Sequence, residues 1–526
     1  MSLGRRFTLP SSEVQHIEFK ERLIPSIHLR PEKRQKLASQ MKHRLQLGNG
    51  KAVYILGVSD DGREVGLSEI ELEESLMVLR NVAMECSAVI DRVERFEENG
   101  AIIARVIISS VVEPSRNHIT VSVAGHVNHG KSTLLACLIT GERDDGKKWL
   151  YLDTLPHEVE RNLSADIHFA LLGFDGAKPR LLANPLDKME RSRVAAESQR
   201  LVSFVDTVGH EPWLRTTIRG LLGQEIDYGI LVVAADDGPT HITREHLGVM
   251  LAMGIPVVVC ITKADRVGAE RLEAVEDVTE SLLKRVGRIP YPIRREEDIS
   301  LVLDKLSVIV PIIRTSAVTR EGYDLLYSLL RNLPVRSKVS DKPLLLYIDR
   351  VYNVEGVGSV VSGSVKQGKL AAGTEVLVGP DVKGRFTPVK VRSIETHYAR
   401  IPEAEPGYIV GAAVRGVKHE LLHRGMVLCD PALDPKAVYS FEAEITVLSH
   451  PTRISSGYEP ILHCHTIASS VRLTLLDKEY LKAGETGRVI MQFKYRPWYV
   501  REGDKFIFRE GKTKGIGTIT RILEAV

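Results

Sequence analysis

Gly125-His126-Val127-Asn128-His129-Gly130-Lys131-Ser132-Thr133 is the stretch on which the reading of this chain turns. It fits the pattern G-x-x-x-x-G-K-[ST]. It also lies where that pattern has physical meaning, after an apolar run from Ile119 to Ala124 and before a helical one from Leu134 to Leu138. Glycines in such a loop let backbone N–H groups wrap around phosphates. Lys131 then offers a point charge to the β- and γ-phosphates, and the Ser132 hydroxyl is placed to ligate Mg²⁺. The whole stretch, Gly125 to Thr133, is therefore the expected phosphate cradle.

Working outward, apolar strands alternate with helical patterns from Asn117 to about Pro334. Candidate strands are Ile119 to Ala124, Leu201 to Asp206, Tyr228 to Ala234, Pro256 to Ile261 and Val308 to Arg314. Continuous apolar runs followed by helices predict a parallel, doubly wound sheet, which binds ligands at its strand carboxyl ends. Three further motifs fall at such ends. In Asp206-Thr207-Val208-Gly209-His210 the carboxylate suits the Mg²⁺ shell, the Gly209 N–H the γ-phosphate, and His210 the attacking water. In Thr262-Lys263-Ala264-Asp265, Asp265 can accept both N1–H and N2–H₂ of guanine, a donor pair that adenine lacks. Thr315-Ser316-Ala317 follows the last strand, with Ser316 and Ala317 beside the guanine O6. Between the first two motifs, Arg161 to Ile167 reads either as a switch, with Ser164 the second hydroxyl on Mg²⁺, or as a simple polar loop. The cofactors expected are GTP/GDP and Mg²⁺. With no arginine finger identified, slow intrinsic hydrolysis and activation by a large partner are expected.

The rest of the 526 residues divides around this centre. Apolar residues make up 43% and charged residues 26%, which excludes disordered and fibrous classes. Net charge is only +3, so any basic site must be local. No apolar run approaches the ~20 residues that span a bilayer, and no secretory signal is read at the N-terminus, so a cytoplasmic protein without membrane contact is expected. Five scattered cysteines read as reduced thiols. Residues 1–47 read as a basic segment with one helix after Pro31. Residues 48–116 read as a small α/β domain, and 117–335 as the nucleotide domain. Short glycine-punctuated strands then predict two β-barrels, 341–432 and 436–526. The fold class expected is thus an α/β P-loop GTPase domain followed by two all-β barrels and preceded by a small α/β N-terminal domain.

Together these motifs resemble a translational GTPase of the elongation factor Tu and one-alpha type. G-H-V-N-H-G-K-S-T is similar to that family's G-H-V-D-H-G-K-[ST], and D-T-V-G-H to its D-T-P-G-H. Arg350 to Gly363 (RVYNVEGVGSVVSG) resembles its second domain; Leu462 to Thr466 and Phe508 to Gly511 resemble its third. A narrower resemblance is to the GTP-binding protein 1 and 2 family. It rests on GERDDGKKWLYLDTLPHEVE, on LLGFD at Leu171 to Asp175, on HEPWLRTT at His210 to Thr217 and on Tyr54 to Leu76. The resemblance implies that His210 positions the hydrolytic water and that Val127 and Leu163 form an apolar gate against it. It also implies ribosome-stimulated hydrolysis and aminoacyl-tRNA bound in the GTP state between the G domain and the first barrel; a monomer is the default expectation. Asn128, Val208, Ser164, Asn162 and Thr262 depart from the wider family's pattern.

The N-terminal region supports another function, an RNA-binding adaptor in mRNA or ribosome surveillance with GTP as a timer. Ile17 to Glu21 and the GNGKAVYILGVSDDG stretch resemble the AlbA-like domain of schlafen-type proteins. That implies nucleic-acid contact, with mRNA for instance, through Lys20, Arg22, Lys33, Arg34 and Lys36; the other reading is a solvated helix face. His463 and His465, with strand spacing, read as barrel wall or as part of a metal site. Trp498 with Arg496, Tyr495 and Tyr499 reads as a packed barrel edge or an RNA-stacking platform.

Overall fold

A computed structural model of the chain describes residues 16–48, 50–86, 88–98, 101–111, 117–154, 166–209, 214–336, 339–511 and 513–526. At its centre is an eight-stranded sheet. Ile289–Pro292, Ile309–Arg314, Val257–Thr262, Tyr228–Ala234, His118–Gly125 and Arg200–Asp206 lie in that spatial order and run parallel. The five strands expected in the nucleotide domain are all among them. Helices cover both faces, and two apolar clusters follow from this: one holds Val121, Leu135, Phe204 and Leu330, the other Val205, Leu231, Leu247 and Val259.

The sheet is not wholly parallel. His168–Asp175 runs antiparallel to Arg200–Asp206, and Lys178–Arg180 folds back on it as a hairpin. Sequence reading drew no strand there. An antiparallel neighbour needs no crossover helix, so the alternation of strand and helix that revealed the other strands is missing here.

Residues 1–47 and 48–116 were expected as separate units, and the structure corrects this. Ile17–Lys20 pairs in parallel with Lys51–Leu56, which continues through Ala101–Ser110 to Ala88–Glu98 in one four-stranded sheet. The Pro31–Leu47 helix, with Pro31 at its first turn, buries Leu37, Ala38, Met41 and Leu45 against the Glu69–Glu85 helix and this sheet. The second helix starts with a capping box, Ser68 and Glu71 satisfying each other's backbone N–H groups. A four-residue strand is too short to show alternation, and its one buried acid, Glu18, disguises it further.

That acid explains much of the basic composition. The Glu18 carboxylate is 1% exposed and takes bonds from Arg44 and Lys20, each at 2.7 Å, and from Gln40. Arg22 pairs with Glu71 at 2.5 Å and Glu74 at 2.9 Å, and Arg34 with Glu85 at 3.1 Å. Of the five residues expected to contact nucleic acid, Lys20, Arg22 and Arg34 are therefore spoken for within the domain. Only Lys33 and Lys36 have no acidic partner among the described residues.

Two barrels complete the chain. In the first, seven strands run from Glu375–Gly379 to Ala399–Ile401, and pairing of Glu375–Gly379 with Thr387–Thr396 closes the sheet. The second is a closed barrel of six strands from Val438–Ser449 to Thr513–Ala525. Trp498 is 5% exposed, lies against Gly425 and carries Arg496 over its ring at 3.8 Å, so it is a packed barrel edge. No helix among the described residues is long and apolar enough to cross a membrane.

Candidate nucleotide-binding site

The strand carboxyl ends converge on a cavity of about 850 Å³. Backbone conformation builds its floor. Asn128 and Gly130 both have positive φ, 59° and 84°, which turns successive N–H groups inward ahead of the Lys131–Thr140 helix. Val127, Asn128, Gly130, Lys131, Ser132 and Thr133 line the cavity. Gly125 lies behind it, where a Cβ would come within 2.4 Å of the Val232 carbonyl oxygen. His126 contributes its carbonyl oxygen, which accepts from Lys131 Nζ at 3.0 Å. The ammonium is buried, which pushes its pKa down, against the opposing pull of Asp206 and Asp153.

The Ser132 hydroxyl donates to the Asp206 carboxylate at 2.8 Å, and Asp206 is 1% exposed. Hydroxyl and carboxylate thus meet at the mouth of the loop, the hard oxygen donor set that a Mg²⁺ bound to phosphates requires. Gly209 faces them. A Cβ there would lie 2.3 Å from Lys131 Nζ and 2.6 Å from the Gly125 carbonyl oxygen, so only glycine allows this backbone so near the phosphate loop. His210, Ser164 and Leu163 lie outside the described residues.

Thr262, Lys263, Asp265 and Ala317 line the far end of the cavity. Thr262 Oγ1 donates to the His129 carbonyl oxygen at 2.6 Å, tying the base-recognition loop to the phosphate loop. Ser316 is fully buried, and its hydroxyl donates to Asp265 Oδ1 at 2.6 Å, which fixes the carboxylate's direction. Lys263 has positive φ and reaches Asp236 at 3.0 Å.

His129, expected among the nucleotide contacts, turns its ring away. Burial lowers its pKa, so the imidazole is neutral; Nδ1 accepts from the Ala234 N–H at 3.2 Å, leaving Nε2–H to donate to Asp237 at 2.9 Å. It braces the loop. Sequence reading missed Asp144, Trp149 and Asp153, which also line the cavity. The Asp144 N–H donates to the Ala317 carbonyl oxygen at 2.9 Å, so the segment after the loop's helix is pinned to the base-recognition loop. They lie in the GERDDGKKWLYLDTLPHEVE stretch, which carried the family resemblance but no chemical role; only the fold brings them near the site.

An ionic network leads out of the site. Asp166, near the end of the Arg161 to Ile167 stretch, accepts from Arg219 of the Leu214–Gly223 helix at 3.1 Å. Arg350 of the first barrel pairs with the same carboxylate at 3.2 Å, and Arg219 reaches Asp349 beside it at 3.2 Å. Arg424 of the same barrel lies 3.9 Å from Asp349 and donates to the Thr466 carbonyl oxygen of the second barrel at 2.9 Å. The Leu214–Gly223 helix also buries Ile218 and Leu222 against Ile507 of that barrel.

Cys464, His465 and Asp504 place one donor atom each within 4.8 Å of one another. His465 stands past the end of the Ile461–Cys464 strand, at positive φ, so strand alternation with His463 does not hold. Its ring pairs with Asp504 at 3.1 Å and stacks on Tyr347 of the first barrel at 3.9 Å. These contacts join the two barrels.

Family models match the chain three times in succession: Elongation factor Tu GTP binding domain over residues 116–340, Elongation factor Tu domain 2 over 358–429, and Elongation factor Tu C-terminal domain over 434–523. GTP-binding protein 1 of Xenopus laevis is 33% identical, covering 93% of this chain and 76% of its own length. GTP-binding protein 2 of Mus musculus is 32% identical, covering 98% and 88%. Elongation factor 1-alpha of Methanopyrus kandleri is 32% identical over 71% of this chain and 89% of its own. Among solved structures, a bacterial selenocysteine-specific elongation factor EF-Sec shares the fold, with a TM-score of 0.58 and 23% identity over 76% of this chain and 58% of that one. At 93% and 98% of this chain, the two GTP-binding protein matches reach into the small N-terminal domain as well. The chain is thus a GTP hydrolase of the translation-factor type and belongs to the GTP-binding protein 1/2 family within the elongation factor Tu superfamily.

Proposed function

We propose that the protein binds aminoacyl-tRNA in its GTP state and hydrolyses GTP when stimulated by the ribosome. The observation that carries this reading is the ionic network from Asp166 through Arg219 and Arg350 to both barrels. A γ-phosphate that orders the segment before Asp166 thereby sets the position of the barrels, and hydrolysis releases it.

In this reading the phosphate loop, Lys131 and the Gly209 N–H hold the triphosphate, while Asp265 and Ser316 select guanine. The Ser132–Asp206 pair, with Ser164, would hold Mg²⁺, which supplies charge neutralisation at the phosphates. His210 orients the attacking water, and Val127 with Leu163 keeps it out until the ribosome acts. Transition-state charge is met by preorganised N–H groups and Lys131, because phosphoryl transfer asks little covalent chemistry of the protein.

The test has two readouts. The GTP-analogue form should bind aminoacyl-tRNA above deacylated tRNA, and equal binding refutes the delivery role. His210→Ala should cut ribosome-stimulated hydrolysis by about 10²-fold or more while GTP still binds. A loss of GTP binding instead would reassign His210.

A further inference from the structure

The joint between the two barrels holds three metal-ligating side chains that the nucleotide site does not use. Cys464 ends the strand Ile461–Cys464, His465 follows it, and Asp504 immediately precedes the antiparallel neighbour Lys505–Glu510. One sulfur, one imidazole nitrogen and one carboxylate oxygen from these residues lie within 4.8 Å of one another. Around a tetrahedral Zn²⁺, with bonds of ~2.0–2.3 Å, such atoms stand roughly 3.3–3.6 Å apart. The His465 Nε2 to Asp504 Oδ1 distance, 3.1 Å, is already close to that spacing. Turning the thiol inward by about 1 Å completes the set.

Two observations separate this cluster from an ordinary ion pair. Although it lies 3.1 Å from Oδ1, the buried Nε2 atom makes no hydrogen bond. The two atoms thus sit side by side, as ligands do around a shared ion, and not along an N–H···O line. The carboxylate is also aimed: its Oδ2 accepts the Arg501 backbone N–H at 2.8 Å, which leaves Oδ1 to the cluster. The sulfur is fully buried and makes a weak hydrogen bond, to the Lys505 carbonyl oxygen at 3.6 Å. Neighbouring cations are engaged elsewhere, Lys366 with Glu225 at 2.8 Å and the Arg501 guanidinium with Gln367 at 2.9 Å. Tyr347 of the first barrel, stacked on the imidazole, closes one side. The His465 side chain is 12% exposed, which leaves an opening to solvent.

We propose that Cys464, His465 and Asp504 form a Zn²⁺ site, with a water as the fourth ligand, that locks the second barrel against the first. On binding, the thiol proton leaves to solvent. One thiolate and one carboxylate then neutralise the two charges of the ion, so the buried assembly carries no net charge. Sulfur and imidazole ligands select zinc over magnesium. The lock reaches the G domain as well. A Cβ on Gly223, at the end of the Leu214–Gly223 helix, would lie 3.3 Å from Thr466, the residue after His465. The site stands whether or not the protein delivers aminoacyl-tRNA.

The test titrates Co²⁺, a spectroscopic substitute for zinc, into the full chain after treatment with a chelator, with Mg²⁺ and GDP present to fill the nucleotide site. One equivalent should give a sulfur-to-cobalt charge-transfer band and the intense visible bands of a tetrahedral ion, and Zn²⁺ should displace it. Cys464→Ser should abolish the charge-transfer band. Cys86→Ser, which removes the one thiol that is not fully buried, should leave it unchanged. His465 has a φ of 49°, which asparagine tolerates, so His465→Asn keeps the turn and should weaken Co²⁺ binding at least tenfold. Zn²⁺ at a hundredfold excess over its Kd should raise the wild-type melting temperature by about 5 °C and leave that of Cys464→Ser unchanged. No charge-transfer band in the wild type, or a band that survives Cys464→Ser, overturns the proposal. If Cys464→Ser fails to fold, the wild-type spectrum and His465→Asn decide, and unchanged binding in that variant overturns it.

Discussion

The nucleotide pocket and a second cavity, where the G domain, the first barrel and the N-terminal domain meet, lie in one molecule but are built in opposite ways. The pocket is assembled from short motifs at successive strand ends, each carrying its own chemistry. The cavity draws single residues from three domains, and no two of its chemically important side chains belong to a recognisable pattern. Phosphate and guanine recognition need backbone shapes that only certain local sequences adopt, such as positive φ at Asn128 and Gly130. A cavity between domains needs only side chains held at the right places, which many sequences supply. The first kind of site can be read in one dimension; the second appears only when the domains are docked.

The largest effect expected is on the pocket's base selection. Asp265→Asn removes the carboxylate that Ser316 orients, and should lower GTP affinity about a thousandfold while favouring xanthine nucleotides. Competition binding with GTP and XTP measures this; retained guanine preference would dissolve the pocket's side of the contrast.

Next comes the buried acid at the centre of the N-terminal domain. Glu18→Ala leaves Arg44 and Lys20 without the buried carboxylate between them, and should destabilise the N-terminal domain by about 3–5 kcal/mol. Amide exchange in residues 17–110 would rise while the G domain keeps its protection. Equal loss in both would mean that the domains unfold as one unit.

The link between the two regions is expected to be worth less. Asp166→Ala removes the carboxylate that Arg219 and Arg350 share. The ratio of RNA affinity between GTP and GDP forms should fall about tenfold, or about 1.4 kcal/mol. An unaltered ratio would show that the network holds the barrels without reporting the nucleotide.

The smallest effect at neutral pH, growing only as the solution is acidified, is one of pH. His246 is 1% exposed, and burial lowers its pKa to about 3. The folded chain keeps this imidazole neutral, while the unfolded chain protonates it near 6.5. Protons therefore bind the unfolded state first. Stability is held above about pH 6.5 and falls from there towards 3, by about 1.4 kcal/mol per pH unit. Melting temperatures across that window, with and without His246→Leu, separate this histidine's share from that of the carboxylates.

The same contrast governs what was legible in the sequence. The five strands of the nucleotide domain, both barrels and the order of motifs follow from periodicity and punctuation. The strand His168–Asp175 was hidden because it joins the sheet without a crossover, and Ile17–Lys20 because four residues show no period. His129 sits within the phosphate loop's motif yet serves as a brace, since a motif fixes the backbone and not the direction of each ring. Lys20, Arg22 and Arg34 look like an RNA face only until Glu18, Glu71, Glu74 and Glu85 are folded against them. Composition counts charges, whereas function depends on which charges remain unpaired.

The measurement closest to the central claim is protection of an aminoacyl-tRNA ester from spontaneous hydrolysis by the full chain, with GDP and with a non-hydrolysable GTP analogue. The account predicts protection with the GTP analogue and little with GDP, because the ester is enclosed only when the switch and barrels are held together. Equal hydrolysis with both nucleotides, at concentrations where both are bound, would contradict it.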